Sequence, residues 1–205
     1  MTVVAICGLI GSGKDTVADF LVSEHGFKRE SFAGTLKDAV AAVFNWDREL
    51  LEGKTSEGRA WREQVDTWWA KRLNIPELTP RYILQQWGTE VCRNGFHNDI
   101  WVASVENKLR TTKDNIVLSD CRFPNEIEAM RNAGAKITWV KRGPLPDWYT
   151  TAVWANRGDK DAQTQLTKLG VHASETSWIG THFDFEIANN GTLDELKQAT
   201  KLLAH

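Results

Sequence analysis

A glycine-rich turn near the start of the chain constrains the fold more than any other feature. Residues 3–7 form a short apolar run rich in β-branched side chains, which is typical of a buried parallel strand. The run leads into the turn G-L-I-G-S-G-K at residues 8–14, and apolar side chains at helical spacing follow Lys14. This order fits the first seven positions of G-x-x-x-x-G-K-[ST], the phosphate-binding loop between a strand and a helix. The alternative is a glycine-rich turn that carries a solvated lysine.

The chemistry of the loop predicts a nucleoside triphosphate site. Glycines let the backbone wrap closely around a polyphosphate, and consecutive N–H groups together with the helix N-terminus face its charge. The lysine at the end of the loop reaches the β and γ oxygens. We therefore assign ATP binding to Gly11, Ser12, Gly13, Lys14, Asp15 and Thr16.

The eighth position departs from the motif. Asp15 stands where a Ser or Thr normally ligates Mg²⁺, and Thr16 follows it. A carboxylate beside a triphosphate is unfavourable unless a cation or a donor offsets its charge. We expect Asp15 to lie near the magnesium shell or near a partner arginine, and Thr16 to take over a phosphate contact. The alternative is that Asp15 merely favours the helix N-terminus.

The rest of the chain alternates between strand-like and helical patterns, which predicts an α/β fold around a parallel sheet. Helical patterns also fill the segment after the second strand, where about residues 45–75 are polar and rich in tryptophan. Residues 143–181 show no sustained period, and we interpret them as a mobile flap. The expected strands are residues 3–7, 27–32, 116–118, 136–141 and 184–188.

Composition excludes several classes of protein. Hydrophobic residues make up 41% of the chain and charged residues 25%, as in ordinary globular proteins. A net charge of -2 argues against coating a nucleic-acid polymer, and no apolar run reaches the roughly 18 residues of a membrane span. The N-terminus reads as a core strand and not as a signal peptide. Three cysteines, odd in number and far apart, fit a reducing cytoplasm without disulfides or zinc.

The ten tryptophans are unusual, and six of them lie between Trp46 and Trp101. One interpretation is that a small appended subdomain needs large apolar side chains to bury enough surface. The other is that one or two of them stack on a substrate base.

Acidic and basic residues follow the third predicted strand. Asp120 comes where phosphate-binding-loop proteins carry the acidic residue that organises Mg²⁺ and its waters, and Arg122 and Glu126 lie just beyond. The carboxyl end of a parallel strand is where ligands bind in open α/β sheets. The alternative is a strand-end turn whose Asp and Arg pair in solvent.

A further helix is predicted from Thr79-Pro80 to about Asn94, with an N-cap and a proline at its first position. At 100° per residue, one face is apolar and ends at Val91. The opposite face presents Arg81, Gln85, Gly88 and Thr89. Arginine binds phosphate and glutamine reads a base edge, while a glycine within a helix suggests close approach by another group. The alternative is an ordinary solvated face.

Together these motifs carry a resemblance. In chain order they are Gly-x-x-x-Ser-Gly-Lys-Asp-Thr (8–16), Phe-Ala-Gly-x-Leu-Lys (32–37), Arg-x-x-x-Gln-x-x-Gly-Thr (81–89), Trp101, Asp-x-Arg-x-x-x-Glu (120–126), His-x-x-Glu (172–175) and Asn-Asn-Gly-Thr (189–192). Over nearly its whole length, the chain resembles the deoxynucleoside monophosphate kinases of tailed bacteriophages. One departure is Tyr82, where similar enzymes can carry a second basic residue.

The resemblance implies a P-loop NTPase fold of the nucleoside monophosphate kinase kind, with a five-stranded parallel sheet. Residues 1–205 would form one domain, with a monophosphate-binding helical insertion at about 33–112 and a lid at about 143–182. The implied activity is ATP- and Mg²⁺-dependent phosphorylation of deoxynucleoside monophosphates (dNMPs) in the host cytoplasm. The implied dNMP-binding residues are Lys37, Arg81, Gln85, Gly88, Thr89, Trp101, Arg122 and Glu126.

The expected catalytic groups are Lys14, Asp15, Asp120 and Arg122, with the two aspartates holding Mg²⁺ through water. Arg142, near the flap, and Asn190 are further candidates for ATP binding. The partners are small molecules, and a homodimer is left open. The rival functions are another small-molecule kinase, such as a dephospho-coenzyme A or phosphomevalonate kinase, and a non-catalytic ATP-binding switch.

Overall fold

The computed structural model describes residues 1–204. The chain divides into two compact units, of which one comprises residues 1–31 and the chain from Glu106 onward. The other comprises residues 32–105. We call them the sheet unit and the helical unit. The organisation as a single domain with an insertion and a lid stays a prediction.

The sheet unit is built on five parallel strands. They are β1 (Val3–Cys7), β2 (Lys28–Glu30), β3 (Ile116–Leu118), β4 (Lys136–Lys141) and β5 (Phe185–Ala188). Their order across the sheet is β2-β3-β1-β4-β5, and all neighbouring pairs are parallel. Every residue of the central strand β1 is buried, which explains its uninterrupted apolar sequence. The predicted five-stranded parallel α/β sheet is confirmed.

The strand order determines where a ligand can bind. Val4 of β1 pairs with Val117 of β3 on one side and with Lys136 of β4 on the other. The connection after β1 leads to β2 on one side, whereas the connection after the adjacent strand β3 leads to β4 on the other side. The edge between β1 and β3 is therefore the switch point where open α/β sheets bind ligands. Because the strands are parallel, the segments that follow β1, β3, β4 and β5 all begin at the same edge.

Helices occupy most of the remaining chain. In chain order, those of residues 1–204 are α1 (Lys14–His25), α2 (Gly34–Phe44), α3 (Arg48–Glu52), α4 (Ser56–Trp61), α5 (Thr67–Leu73), α6 (Pro80–Gln85), a π-helix (Gln86–Asn94), α7 (Ile100–Thr111), α8 (Pro124–Asn132), α9 (Tyr149–Asn156), α10 (Lys160–Leu169), α11 (Ala173–Thr176), α12 (Leu193–Thr200) and a 3₁₀-helix (Lys201–Leu203). None of them combines the length and apolar character that crossing a bilayer requires.

The core of the sheet unit lies between the sheet and its first and last helices. Val17 and Leu21 share one face of α1 at i, i+4 spacing, and both are fully buried. They join Leu196 of α12 in one apolar cluster with Ile6 and Val140 from the strands. Gly26, in the left-handed conformation, ends α1 where the sequence predicts a C-cap.

The helical unit depends on capping and aromatic packing because its helices are short. Helices of five to seven residues are unstable by themselves. The side chains of Asp47, Thr55, Asp66 and Thr79 accept hydrogen bonds from the first turns of α3 to α6. The helicity predicted for about residues 45–75 is confirmed.

Most tryptophans of the helical unit serve packing. The ring of Trp46 stacks on Phe44 with centroids 4.5 Å apart, and Trp69 contacts the same phenylalanine at 4.8 Å. Trp61, Trp87 and Trp101 belong to the same cluster. Trp68 differs, since it is 63% exposed.

The helix predicted up to Asn94 changes type within its length, and the predicted faces are wrong for two positions of its second half, Gly88 and Val91. From Gln86 the backbone is a π-helix, whose turns take more residues than α-helical turns. A wheel drawn at 100° per residue therefore misplaces side chains beyond that point. Val91, expected in the core, is 55% exposed, whereas Gly88, expected on the open face, is buried.

Residues 143–181, whose sequence shows no sustained period, contain helices, and their interpretation as a mobile flap stays a prediction. They contain α9, α10 and α11, and α10 packs against α9 through buried alanines and Leu166. Trp178, just after α11, is 1% exposed and meets the ring of Trp139 edge-on at 5.7 Å. The buried faces of α9 and α10 escaped detection in the sequence because they consist mostly of alanine, which contributes little to a hydrophobic pattern.

Candidate active site

The glycine-rich loop leaves β1 in a conformation that few residues other than glycine adopt. Gly8 has φ +153°, and a Cβ there would lie 2.5 Å from the carbonyl oxygen of Val140 and 2.7 Å from Ser12 Oγ. Gly13 has φ +99°, and a Cβ there would overlap the amide of Asn189. Both glycines are therefore required by backbone shape and by close neighbours.

The same loop presents donors for an anion. The helix α1 starts at Lys14, so the N–H groups of its first turn have no intrahelical partner. The hydroxyl of Ser12 is buried, and among residues 1–204 it has no hydrogen-bond partner. Gly11 is exposed on the loop and Thr16 is half-buried on the first turn of α1. These features favour binding of a phosphate chain.

Lys14 folds back over the loop. Its Nζ donates to the carbonyl oxygens of Gly8 and Leu9, each at 2.8 Å. Burial lowers the pKa of Lys14, and the nearby charge of Arg122 lowers it further, against the opposing effect of Glu175. Two positive groups thus lie close together beside the loop, which favours an anionic ligand.

Asp15 has the partner arginine that its charge requires. Its Oδ1 accepts a hydrogen bond from Ser119 Oγ at 2.7 Å and lies 3.3 Å from Arg29 Nη2. Arg29 also donates to the backbone carbonyl of Asp15 at 3.0 Å. Because Ser119 precedes Asp120, these contacts connect the start of α1 with the segment that follows β3.

The segment after β3 is held by a buried carboxylate. Glu126 is 3% exposed, and its Oε2 accepts from the backbone N–H groups of Arg122 and Phe123 at 2.9 and 3.1 Å. These bonds cap the start of α8 and fix the backbone from which the Arg122 side chain projects. Direct dNMP binding by Glu126 stays a prediction. Asp120 is half-buried.

Arg122 points toward the turn that opens α11. Its Nη1 lies 3.4 Å from Ser174 Oγ and 3.9 Å from a carboxylate oxygen of Glu175. The other oxygen of Glu175 accepts from the N–H of Ile10 in the glycine-rich loop at 3.1 Å. His172 caps α11 by accepting from the N–H of Ser174 at 3.2 Å. The His-x-x-Glu motif thus joins α11 to the loop.

The ends of β4 and β5 complete the surroundings of the loop. Asn189, directly after β5, donates from Nδ2 to the carbonyl oxygen of Ser12 at 2.9 Å. Its neighbour Asn190 accepts from the N–H of Gly143 at 2.7 Å. Arg142, which follows β4, is exposed.

Lys37 lies in the helical unit on α2. Its side chain is only 12% exposed, and Nζ donates to Glu52 Oε1 at 2.9 Å. Arg48 donates to the other oxygen of Glu52 at 2.7 Å. Burial alone would raise the pKa of Glu52, but the hydrogen bonds from Lys37 and Arg48 outweigh it and lower the pKa to about 2. The carboxylate and its two cations are therefore one charged cluster.

The polar residues of α6 and the π-helix differ in exposure. Arg81 pairs with Glu63 and keeps 46% of its side chain exposed. Gln85 and Thr89 are exposed. These three remain accessible to a ligand, as the sequence predicts.

Gly88 and Trp101 pack against each other inside the helical unit. Trp101 is 8% exposed, and its Nε1 donates to the carbonyl oxygen of Gly88 at 2.9 Å. A Cβ on Gly88 would lie 2.8 Å from Leu36 Cδ2. Packing within the unit therefore accounts for the absence of a side chain at position 88. Contact of Gly88 and Trp101 with a dNMP stays a prediction.

Comparison with known proteins assigns the family. The model of the family described as deoxynucleotide monophosphate kinase matches residues 58–200, which is more than half of the chain. The chain belongs to the deoxynucleotide monophosphate kinase family. The expected resemblance is confirmed, and so is the assignment as a phosphotransferase.

Three similar proteins come from viruses. This kinase is 23% identical to the deoxynucleotide monophosphate kinase of Enterobacteria phage T4, with 96% of this chain and 95% of that protein covered. It is 28% identical to a putative deoxynucleotide monophosphate kinase of Acanthamoeba polyphaga mimivirus, over 69% of this chain and 75% of that protein. It is 27% identical to the deoxynucleoside-5'-monophosphate kinase of Escherichia phage T5, over 62% of this chain and 71% of that protein.

Solved structures give weaker likenesses. The alignment with the shikimate kinase of Aquifex aeolicus covers 98% of this kinase and 94% of that protein, at 12% identity and a TM-score of 0.47. The alignment with a gluconokinase of Sinorhizobium meliloti covers 99% of this kinase and 90% of that protein, at 13% identity and a TM-score of 0.41. The P-loop assignment therefore depends on the strand order and the loop described above.

The donor set of this kinase suits magnesium that shares its ligands with a substrate. Within residues 1–204 there is no group of three or more His, Cys, Asp and Glu residues that could hold a metal ion. Magnesium usually keeps several waters and takes one or two carboxylates together with substrate phosphates. Asp15 and Asp120 are the two carboxylates expected there, and their role in holding magnesium stays a prediction.

Sequence reasoning missed several residues around the loop of this kinase. Glu175 and Asn189 both bond to loop backbone, yet each is a single polar residue in a segment far along the chain. The motifs His-x-x-Glu and Asn-Asn-Gly-Thr contain them, so the signal existed. Arg29, the partner of Asp15, lies in β2 without any motif, and no sequence signal marks it.

Proposed function

We propose that this kinase transfers the γ-phosphoryl group of ATP to a dNMP, releasing ADP and a deoxynucleoside diphosphate. Family membership supports the substrate class. ATP binding is supported by the glycine-rich loop at the switch point of the sheet. There, Lys14 and Arg122 place two positive charges beside unpaired N–H groups.

The donor phosphates would bind along the loop. Backbone N–H groups and the Ser12 hydroxyl would face the β- and γ-phosphates, and Lys14 would exchange its carbonyl partners for phosphate oxygens. Gly11 and Gly13 would keep the backbone close to the phosphates, and Thr16 would add a hydroxyl. Arg142 and Asn190, at the ends of β4 and β5, would contact the rest of ATP.

Magnesium would be held through water by Asp15 and Asp120. Bound there, it neutralises charge on the β and γ oxygens and orients them for transfer. Asp15 keeps a fixed orientation through Ser119 and Arg29, so its carboxylate needs little reordering to accept metal-bound water.

The acceptor would bind to the helical unit. Arg81 and Lys37 supply positive charge for the acceptor phosphate, and each would leave a glutamate partner to do so. Gln85 and Thr89, both exposed, supply hydrogen-bonding groups for the base and sugar. Gly88 and Trp101 would form the closely packed surface beneath them.

Transfer itself needs positioning and charge, and it needs no dedicated general base. An acceptor phosphate oxygen attacks the γ-phosphorus, and the bond to the β-bridging oxygen breaks as ADP leaves. Arg122, whose backbone is fixed by Glu126, would stabilise the negative charge that spreads over the transferred group.

The test is ADP release with ATP and Mg²⁺ against each dNMP, each ribonucleoside monophosphate, dephospho-coenzyme A and phosphomevalonate. We expect turnover with at least one dNMP and only background release without an acceptor. Release that no acceptor stimulates would show a nucleotide switch, and turnover confined to the last two compounds would show another small-molecule kinase. Either outcome overturns the proposal.

We also infer that this kinase works in the cytoplasm of a host cell. Cys7, Cys92 and Cys121 are all free thiols, as a reducing compartment allows. Oxidation to a disulfide-linked form during non-reducing electrophoresis of freshly lysed producing cells would contradict this inference.

A further inference from the structure

A carboxylate of the chain itself already contacts the glycine-rich loop. One oxygen of Glu175, on α11, accepts a hydrogen bond from the N–H of Ile10 at 3.1 Å. That N–H is one of the consecutive loop donors that suit a phosphate chain. The two residues are 165 positions apart, so the fold of the sheet unit, and not local sequence, brings this negative charge to the loop.

The other oxygen of Glu175 lies beside the cations of the same site. It is 3.9 Å from Arg122 Nη1. Burial and the charge of Arg122 lower the pKa of Lys14, and the charge of Glu175 opposes them, which shows that the carboxylate lies near the ammonium group as well. One carboxylate therefore meets a loop N–H and two cations, the same groups that would bind the phosphates of ATP.

A phosphate chain and the Glu175 carboxylate cannot share these groups. Two anions that compete for the same donors repel each other, most strongly where water is excluded. The side chain of Glu175 is 24% exposed, so solvent screens its charge only in part. A phosphate chain that takes the Ile10 N–H and the charge of Arg122 must therefore displace the carboxylate.

The segment that carries Glu175 is anchored on one side only. Just after it, Asn156 Nδ2 donates to the carbonyl oxygen of Thr176 at 2.7 Å, and Trp178 is 1% exposed. Just before it, residues 172–173 are exposed. The Glu175 side chain can therefore leave the loop without disturbing the core behind it.

We propose that Glu175 occupies part of the donor-phosphate site in the free kinase and that a phosphate chain displaces it. This inference deepens the proposed binding of ATP and rests on it for the identity of the natural ligand. The carboxylate satisfies a loop N–H and Arg122 until ATP arrives. Its release offsets part of the binding free energy of ATP, so Glu175 lowers the affinity of the kinase for ATP.

A competing carboxylate and a supporting one respond to removal with opposite signs. A carboxylate that held magnesium, or that kept the loop in its binding shape, would weaken the binding of a phosphate chain when removed. Removal of a competing carboxylate strengthens that binding instead. The sign of the change therefore identifies the role of Glu175.

The test is calorimetric titration of the kinase with inorganic tripolyphosphate and, separately, with ATP and Mg²⁺. Glu175→Gln keeps the size of the side chain and removes its charge. We expect it to bind both ligands roughly 3- to 10-fold more tightly than wild type, because a partly exposed ion pair and the charge on a hydrogen-bond acceptor are lost. Glu128→Gln, an exposed glutamate of the same unit, changes the net charge equally and should match wild type.

Thermal melts give a second measurement. Without ligand, the Tm of Glu175→Gln should not exceed that of wild type, because the contact of the carboxylate with Arg122 is lost. The rise in Tm on adding a fixed concentration of tripolyphosphate should nevertheless be larger than for wild type, since tighter binding stabilises the folded state more. A merely structural role would not enlarge the rise.

Unchanged or weaker binding of tripolyphosphate by Glu175→Gln overturns the proposal. Equal tightening in Glu128→Gln also overturns it, because the change would then follow from net charge alone, and so does absence of binding in every protein. Should Glu175→Gln fail to fold, Glu175→Asp decides the question, since a side chain shorter by one methylene reaches the Ile10 N–H less well. Tighter binding than wild type supports the proposal, and equal or weaker binding overturns it.

The proposed reaction can fail separately. Tighter tripolyphosphate binding by Glu175→Gln in a protein that phosphorylates no acceptor would leave the role of Glu175 standing and reject the reaction. Turnover of a dNMP by a kinase whose phosphate-chain affinity ignores Glu175→Gln would reject the role of Glu175 and leave the reaction standing.

Discussion

The glycine-rich loop of the sheet unit and the candidate acceptor groups of the helical unit are assembled in different ways. The loop is one continuous segment, residues 8–14, fixed by its own glycines and by the strand before it. The acceptor candidates come from α2, α6, the π-helix and α7. The loop donates mainly through backbone N–H groups, whereas the helical unit offers long charged side chains already paired with glutamates.

This difference bears on how each site responds to substitution. A backbone site tolerates change in most side chains but depends on glycine geometry and on a single lysine. In a site of paired side chains, each cation must leave its glutamate when the ligand binds. Its contribution to the binding free energy is therefore only the difference between the interaction gained and the ion pair lost. We therefore expect large single effects in the sheet unit and smaller, distributed effects in the helical unit.

The largest effect should come from Lys14→Ala. We expect kcat to fall by on the order of 10² or more, because the ammonium group stabilises charge on the transferred phosphoryl group. The Tm should change little, since the side chain bonds only to loop carbonyls. Stopped-time assays beside thermal melts would measure both, with Lys113→Ala, an exposed lysine of the same unit, as control. A fully active Lys14→Ala protein would reject the assignment of the loop.

The next effect should come from Arg81→Ala. The substitution removes a hydrogen bond to a charged phosphate, which is typically worth about 1.5–3 kcal/mol. We therefore expect the acceptor KM to rise roughly 10- to 100-fold while the ATP KM stays nearly unchanged. The physical reason is that Arg81 lies in the helical unit with nearly half of its side chain exposed. Steady-state kinetics with both substrates varied would measure it. If the substitution raises the KM for ATP and leaves the KM for the monophosphate unchanged, Arg81 belongs to the ATP site.

The same contrast explains how much could be predicted from the sequence. The glycine-rich loop and the five parallel strands follow from local pattern, and charge predicts either magnesium or an arginine near Asp15, although nothing in the sequence identifies Arg29 as that arginine. The helix ending at Asn94 was misjudged because a π-helix breaks the 100° period, and nothing in its composition signals the change. The hydrogen bond that joins the end of α4 to the start of α6 was not predicted, because Arg62 and Arg81 are far apart in sequence and only the fold brings their backbones together.

A moderate effect should come from Asp120→Asn. A neutral amide holds the waters of Mg²⁺ less well, so we expect several-fold more Mg²⁺ to be needed for half-maximal turnover. Titration of activity with Mg²⁺ at saturating ATP would measure this shift. Asp147→Asn, an exposed aspartate of the same unit, is the control. An unmoved midpoint would place Asp120 in an ordinary strand-end turn.

The smallest effect concerns pH and the stability of the helical unit. Hydrogen bonds from Lys37 and Arg48 outweigh the effect of burial and lower the pKa of Glu52 from the ordinary 4.5 to about 2. Because its pKa is lower in the folded protein, Glu52 stabilises the fold fully above about pH 4.5, and this contribution is lost as the pH falls toward 2.

We therefore expect Glu52→Gln to lower the free energy of unfolding at pH 7 by roughly 1–2 kcal/mol, allowing for solvent screening of a partly exposed pair. The difference from wild type should shrink steadily between pH 4.5 and 2. Urea unfolding at several pH values would measure it, with the exposed Glu77→Gln as a control that shows no such trend. A difference that stays constant down to pH 2 would mean that the carboxylate contributes through packing, and the charged cluster of Lys37, Arg48 and Glu52 would then have no role in stability.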